Sequence, residues 1–266
     1  MAAKRASTGL VQFLSDLHLE ASRDYSTFDF PAAAPYLLLS GDIGSLSDYD
    51  RYLGFIRRQT DRYEGVLLVL GNHEFHGLTY DQTLAEVAKL EAEPPLEGRL
   101  HILHQHRFDI PGSDVSILGC TLWTMVPEEA RAAVVGRVKD FQHIKGWSIE
   151  AHCEAHRVDL AWLKTEVREA VARGREVVAA THHAPLLKGT SEPRFTGSPW
   201  SSAFATDVLE EVEELSRVRC WVFGHTHHST DMVVKGVRIV SNQRGYVGVG
   251  RVAKEGFHPT KTLSFR

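Results

Sequence analysis

Five apolar runs of this chain each end in residue types that ligate metals. They are Val11–His18 (VQFLSDLH), Tyr36–Asp42 (YLLLSGD), Val66–Glu74 (VLLVLGNHE), Val177–His183 (VVAATHH) and Cys220–His227 (CWVFGHTH). Short runs of this kind read as buried strands, each closed by Asp, Asn or His. In open α/β sheets, ligands sit outside the carboxyl ends of the strands. Five strand ends meeting there would gather those side chains around one point, although they lie far apart in sequence.

The bulk properties leave room for that arrangement. The 266 residues suit one large domain, residues 1–266, able to bury a core without staples. Hydrophobic content of 43% and charged content of 24% are those of a globular protein. A formal net charge of −4 does not favour broad binding to a phosphate backbone, so nucleic acid is not an expected partner. Cys120, Cys153 and Cys220 match no zinc spacing and read as buried thiols, which fits a reducing compartment. No run approaches the roughly 18 apolar residues of a membrane span. The N-terminus, MAAKRASTGLVQFLSD, has no apolar leader core, so the expected location is cytoplasmic.

Strand-like runs alternate with helical windows, the α/β pattern. Helices are predicted over Asp48–Arg58, Thr79–Glu91, Glu150–Arg173 and Ala205–Leu215. Short strands are predicted at Leu100–Leu103, Arg107–Ile110 and Val115–Cys120. The turn Pro111-Gly112-Ser113-Asp114 joins the last two, which implies antiparallel pairing and a mixed sheet. Asp231–Val234 and Val237–Ser241 read as a hairpin. The irregular stretch Lys188–Ser202 follows directly on THHAP, where a long loop is either a surface connection or a functional lid.

Each motif has its own chemistry. Asp16 and His18 stand at i and i+2, so in an extended segment they point to one side and can bind one ion. Asp42 follows a glycine, and its carboxylate can bridge two cations. Asn72 offers an uncharged amide oxygen, which leaves His73 to face solvent or substrate as a general acid, with Glu74 available to orient it. Of the adjacent pair His182 and His183, His182 is the expected ligand and His183 its neighbour, with the reverse also open. His225 and His227 repeat the i, i+2 arrangement. Taken singly, each block is also compatible with a turn, a cap or a surface position.

Taken in order, the blocks resemble the calcineurin-like metallophosphoesterase superfamily, whose run of DxH, GD, GNH(D/E), H and GHxH is met by Asp16/His18, Asp42, Asn72/His73/Glu74, His182 and His225/His227. The features GCTLWT (119–124), THHAP, 203–207 and SNQRGY (241–246) are similar to a compact bacterial and fungal branch. The resemblance implies a four-layer α/β/β/α sandwich of two mixed β-sheets. It also implies two divalent ions (Mn, Fe or Zn). Asp16, His18, Asp42 and His227 would hold the first, and Asp42, Asn72, His182 and His225 the second, with His73 beside the leaving group. A set of oxygen and imidazole donors without thiolate suits such ions. Two of them about 3.5–4 Å apart would clamp an in-line phosphoryl displacement by a bridging hydroxide.

The expected activity is hydrolysis of a small phosphodiester or phosphomonoester. Protein phosphatases of the superfamily carry GDxVDRG and RGNHE, whereas this chain has GDIGSLSD and LGNHE and lacks both arginines. A nuclease would need a basic groove and stacking aromatics, which the scattered Lys and Arg do not show. An inactive metal-bound scaffold would have relaxed its ligands, and none of the expected types is missing. For substrate contact the candidates are Asn72, His73 and Arg244, since arginine binds phosphate through two parallel bonds. His76, His228, Trp123 and Trp200 lie near the motifs or the long loop and are candidates for shaping a pocket.

Overall fold

The apolar runs become strands with two buried faces, and the face each residue takes sets the layers. The computed structural model describes residues 11–248 and 252–265. The reading of the N-terminus rests partly on residues 1–10, which lie outside the described residues. One sheet contains β1 (Val11–Leu14), β2 (Tyr36–Ser40), β3 (Gly65–Val69), β4 (Leu100–Ile102) and β11 (Thr262–Leu263), in the order β11-β1-β2-β3-β4. Only β11 runs antiparallel to its neighbour. The second contains β5 (His106–Asp109), β6 (Val115–Cys120), β7 (Glu176–Thr181), β8 (Cys220–Phe223), β9 (Asp231–Val234) and β10 (Val237–Ser241), in the order β5-β6-β7-β8-β10-β9. Its two edge strands are antiparallel and its centre is parallel. Both sheets are therefore mixed, as expected.

Alternation then builds four layers. Phe13, Leu38, Leu67 and Val69 of the first sheet share one core with Ile117, Val178, Val222 and Val240 of the second. The intervening residues face outward. Leu14, Leu37, Leu39 and Leu68 pack with Tyr52, Phe55 and Leu90, which belong to α2 (Tyr49–Thr60) and α3 (Tyr80–Glu91). Val177, Ala179, Trp221 and Phe223 pack with Leu163, Val167 and Leu209, from α6 (Ile149–Ala172) and α7 (Val208–Glu211). Three shorter helices, α1 (Leu19–Ser22), α4 (Arg131–Arg137) and α5 (Asp140–His143), lie in connections. The three cysteines are free and buried.

Local chemistry explains the boundaries. Thr79 caps α3 through a capping box with Gln82, each side chain bonded to the other's backbone N–H. Lys235 and Gly236 both have positive φ, the two-residue turn that suits the twist of the β9–β10 hairpin. The predicted helix over Ala205–Leu215 shortens to α7 followed by a 3₁₀ segment, Glu213–Arg217. Its carbonyls at Leu209 and Glu210 accept from Lys235 Nζ instead of from a continuing helix, and Val212 is extended between two pairs of glutamates.

Gln12 is the polar residue inside β1, and it is fully buried. Its Nε2 donates to Pro31 O (3.1 Å) and Pro259 O (2.6 Å), and its Oε1 accepts from Ala33 N (2.6 Å) and the buried Tyr63 hydroxyl (2.8 Å). Gln12→Leu keeps most of the volume but strands the Tyr63 hydroxyl. It is expected to lower the free energy of unfolding by about 1–3 kcal/mol. In urea this reads as a lower midpoint at an unchanged m value, and an unchanged midpoint would show that these bonds contribute nothing.

Candidate metal centre

β1, β2 and β8 stop short of their candidate ligands, and the backbone then turns left-handed, whereas His182 directly follows β7 and Asn72 is right-handed. β1 ends at Leu14, and Asp16 and His18 follow at φ 54° and 48°. β2 ends at Ser40, followed by Gly41 at φ 85° and Asp42 at φ 54°. β8 ends at Phe223, and His225 and His227 stand at φ 72° and 51°. The i, i+2 pairs thus converge through turns, not through strand alternation, which corrects the extended geometry expected for them. Backbone bonds hold the turns: Asp16 N donates to Gly41 O (3.0 Å), His18 N to Asp42 O (3.0 Å) and His225 N to Asp16 Oδ1 (2.9 Å). Glycine is required beside them, since a Cβ on Gly71 would lie 2.2 Å from Asp42 Oδ1.

The donors gather in two groups about Asp42. On one side His18 Nε2 lies 2.8 Å from His227 Nε2, His227 Nε2 lies 3.4 Å from Asp16 Oδ1, and Asp42 Oδ2 is 3.7 Å from His18 Nε2. On the other, His182 Nε2 lies 2.9 Å from Asn72 Oδ1, 3.1 Å from His225 Nδ1 and 3.3 Å from Asp42 Oδ1. Donors bound to one ion at 2.0–2.2 Å are roughly 3–3.5 Å apart, so the spacings fit. Asp16 Oδ2 and His225 Nε2 are buried and have no hydrogen-bond partner. Burial, and then the charge of neighbouring histidines, holds His227 down at about 3 and His225 well below its usual range. Both are thereby neutral, the form that binds a cation. The residues present fit a pair of divalent ions.

The family of the chain is shown by a match of the calcineurin-like phosphoesterase profile to residues 11–229. The chain belongs to the calcineurin-like phosphoesterases. These are metal-dependent hydrolases of phosphoesters, as the motif order had implied. An uncharacterised protein of Acanthamoeba polyphaga mimivirus is 24% identical, over 89% of this chain and 91% of its own length. The phosphopantetheinyl hydrolase of Mycobacterium tuberculosis superposes with a TM-score of 0.60 at 18% identity, covering 91% of each chain. A dimetal phosphatase from Danio rerio does so with a TM-score of 0.53 at 13% identity, covering 89% of this chain and 88% of its own. At these identities the structural likeness concerns the fold.

Within this phosphoesterase, the residues around the donors orient them. His182 Nδ1 donates to Ser40 O (3.0 Å), which turns its Nε2 lone pair to the cluster. Burial opposes protonation of His182, but the adjacent Asp42 carboxylate outweighs it and raises the ring to about 9, while Asp42 itself stays well below the carboxylate range. Burial lifts Asp16 to about 7. A divalent charge at the site would override all three. His183 instead packs its ring 4.1 Å from that of His225, with Nδ1 against Thr121 O.

His73 stands at the edge of the donors, its Nε2 3.9 Å from Asp42 Oδ2. Its Nδ1 is 2.8 Å from Glu20 Oε1 and its Nε2 is 3.1 Å from the Tyr246 hydroxyl. Burial opposes its protonation, yet Asp42 and Glu20 raise it to about 10. Glu74 does not orient it. That carboxylate is fully buried and accepts from the backbone N–H groups of Gly71, Asp42 and Ile43. Glu20 takes the orienting role and also meets His18 Nδ1 (3.3 Å). Glu20 and Tyr246 went unrecognised because neither closes an apolar strand.

Arg244 lies away from the donors. It is 7% exposed, donates to Leu17 O (3.1 Å), pairs with Asp24 (2.8 Å) and lies 4.0 Å over the Phe28 ring. Its Nη1 and Nη2 are both engaged with the connection after β1, and it does not line the cavity at the donors. Trp123 is also in the core. A cavity of about 710 Å³ opens at the donors, and neither Trp123 nor His228 lines it. Its wall includes Trp200, Phe195 and Glu192 of the long loop 188–202.

Asp140 is the other residue that sequence reasoning missed. Its buried Oδ1 accepts from Asn72 Nδ2 (2.8 Å) and faces His76 Nε2 (2.9 Å). The first bond turns the Asn72 amide oxygen toward His182. His76, a candidate pocket residue, is held in this pair. Removal of such an outer partner typically weakens metal binding by about 10–100-fold. Asp140→Ala should therefore bind the second equivalent of Mn²⁺ at least tenfold more weakly, as read by titration calorimetry, with an unchanged circular dichroism spectrum. Unaltered affinity would show that Asn72 needs no anchor.

Proposed function

We propose that this phosphoesterase holds two divalent cations and hydrolyses a small organic phosphoester by in-line displacement. The observation that carries the reading is the position of Asp42, whose two carboxylate oxygens face different donor groups. Asp16, His18, Asp42 and His227 would hold one cation, and Asp42, Asn72, His182 and His225 the other. Mn²⁺, Fe and Zn²⁺ all suit these donors. When bound, such a pair neutralises phosphoryl charge and activates water for attack. The chain's own part is to fix the donors, to present His73 and to enclose the substrate. His73 is on the cavity wall with its Nε2 toward Asp42, which suits protonation of a leaving oxygen, while Glu20 holds its other nitrogen. The catalytic residues we assign are His73 and Asp42, with Asn72 and His73 as substrate contacts. Structural relatives named as a phosphopantetheinyl hydrolase and a dimetal phosphatase accord with this reading.

Among the described residues no helix is long and apolar enough to cross a membrane. The buried free thiols suit the reducing cytoplasm that we propose as the location.

Chelated protein reloaded with Mn²⁺ should turn over p-nitrophenyl phosphate or bis-p-nitrophenyl phosphate, and the ratio of the two rates assigns a phosphatase or a phosphodiesterase. No turnover of either, with metal bound, would favour the inactive scaffold. Asp42→Ala should lose both metal equivalents and all activity, since it removes a donor to each group. Full activity in that variant would sink the assignment. His73→Asn should lower kcat by about 10²-fold or more, the scale of general acid catalysis, with two equivalents of metal retained. Loss of one equivalent would instead make His73 a ligand.

A further inference from the structure

The cavity beside the donors is far larger than a phosphate group. Its volume of about 710 Å³ corresponds to roughly 24 waters at about 30 Å³ each. Leu187 and Phe195, both on its wall, are 41% and 39% exposed, unusual for large apolar side chains, and Trp200 stands beside them. That wall suits the organic part of an ester.

The cations of the wall are more specific. Arg194 and Lys254 are both paired with Glu192, at 2.7 and 2.8 Å. Arg137 and Lys139 have no acidic partner among the described residues, although the chain as a whole carries −4. The Arg137 guanidinium lies 5.5 Å over the Trp200 ring, which holds it at the cavity. Val138 between them is buried and anchors both. Lys139 directly precedes Asp140, whose carboxylate is turned inward to Asn72 and His76 and cannot neutralise it. Two cations without an acidic partner among the described residues therefore lie one and three residues before the anchor of a candidate metal ligand.

The geometry points to a second anion-binding subsite: Arg137 and Lys139 receive a negatively charged group on the organic part of the substrate, separate from the phosphoryl group at the donors. The substrate class is a phosphoester that carries a further carboxylate, sulfate or phosphate. This inference rests on the proposed phosphoesterase reading.

Binding of phosphonates to the Mn²⁺-loaded full chain tests it. Phenylphosphonate is compared by calorimetry with 4-phosphonophenylacetate and 4-phosphonophenylbutyrate, which add a carboxylate at two reaches. At least one of the carboxylates should bind tenfold or more tightly than phenylphosphonate, and the gain should shrink as salt is raised. Arg137→Ala and Lys139→Ala should each reduce the gain, and the double variant should abolish it, with phenylphosphonate affinity and turnover of p-nitrophenyl phosphate unchanged. Turnover with no gain at either reach, or a gain that survives the double variant, overturns the subsite alone. No turnover and no binding of any phosphonate overturns both the subsite and the phosphoesterase reading.

Discussion

Glu74 lies fully buried beneath the donors, and its carboxylate gathers the ends of two strands. One oxygen accepts from Gly71 N (2.7 Å) and Asp42 N (2.9 Å), the other from Ile43 N (2.8 Å) and the Tyr52 hydroxyl (3.1 Å). These N–H groups belong to turns that leave β2 and β3, so no ladder partner remains for them. A buried anion satisfies them as a group, much as an amide nest binds phosphate. Burial, followed by the charge of Asp42, pushes the Glu74 carboxyl up to about 7, and the backbone bonds act against that rise. The Tyr52 bond extends the tie to α2 in the outer helical layer.

That tie matters because the site is built from unfavourable backbone. Asp16, His18, Asp42, His225 and His227 all occupy the left-handed region, at a cost of about 1–2 kcal/mol for each non-glycine residue. Such conformations persist only where surrounding bonds over-determine them. Here Asp16 accepts from His225 N and donates its own N–H to Gly41 O, which links the first sheet to the second across the cluster. Asp42 Oδ1 also accepts from His73 N (2.9 Å). The two sheets are held in register at their carboxyl edge by the same residues that form the candidate metal centre.

This division explains what was legible in the sequence. Strands buried on both faces leave near-continuous apolar runs, and the candidate ligands at their ends stand in a fixed order of Asp, Asn and His, so the strands and the candidate donors could be read from the residues, while the four layers followed from the family resemblance. The turn geometry could not, because left-handed Asp and His leave no local signature comparable to that of glycine. Glu20, Asp140 and Tyr246 act from connections where no periodicity marks them. Arg244 misled for a related reason: a guanidinium after a strand near a Gly looks alike whether it faces phosphate or, as here, Asp24 and a carbonyl. Helix boundaries failed only at 205–215, where Lys235, distant in sequence, takes the carbonyls that continue a helix.

The motifs say least about the substrate because they come from strand ends, while the cavity wall comes from connections. Strand ends are fixed by two sheets, and loops on such a scaffold are free to vary with the ligand. In this chain the two are nonetheless adjacent in sequence. The segment from Arg137 to Asp140 presents Arg137 and Lys139 to the cavity and turns Asp140 inward to Asn72. Val138 is packed in a small core with Val134 and Cys153, which anchors the segment between the two cations. The cations of the proposed subsite and the anchor of Asn72 share one short stretch of backbone.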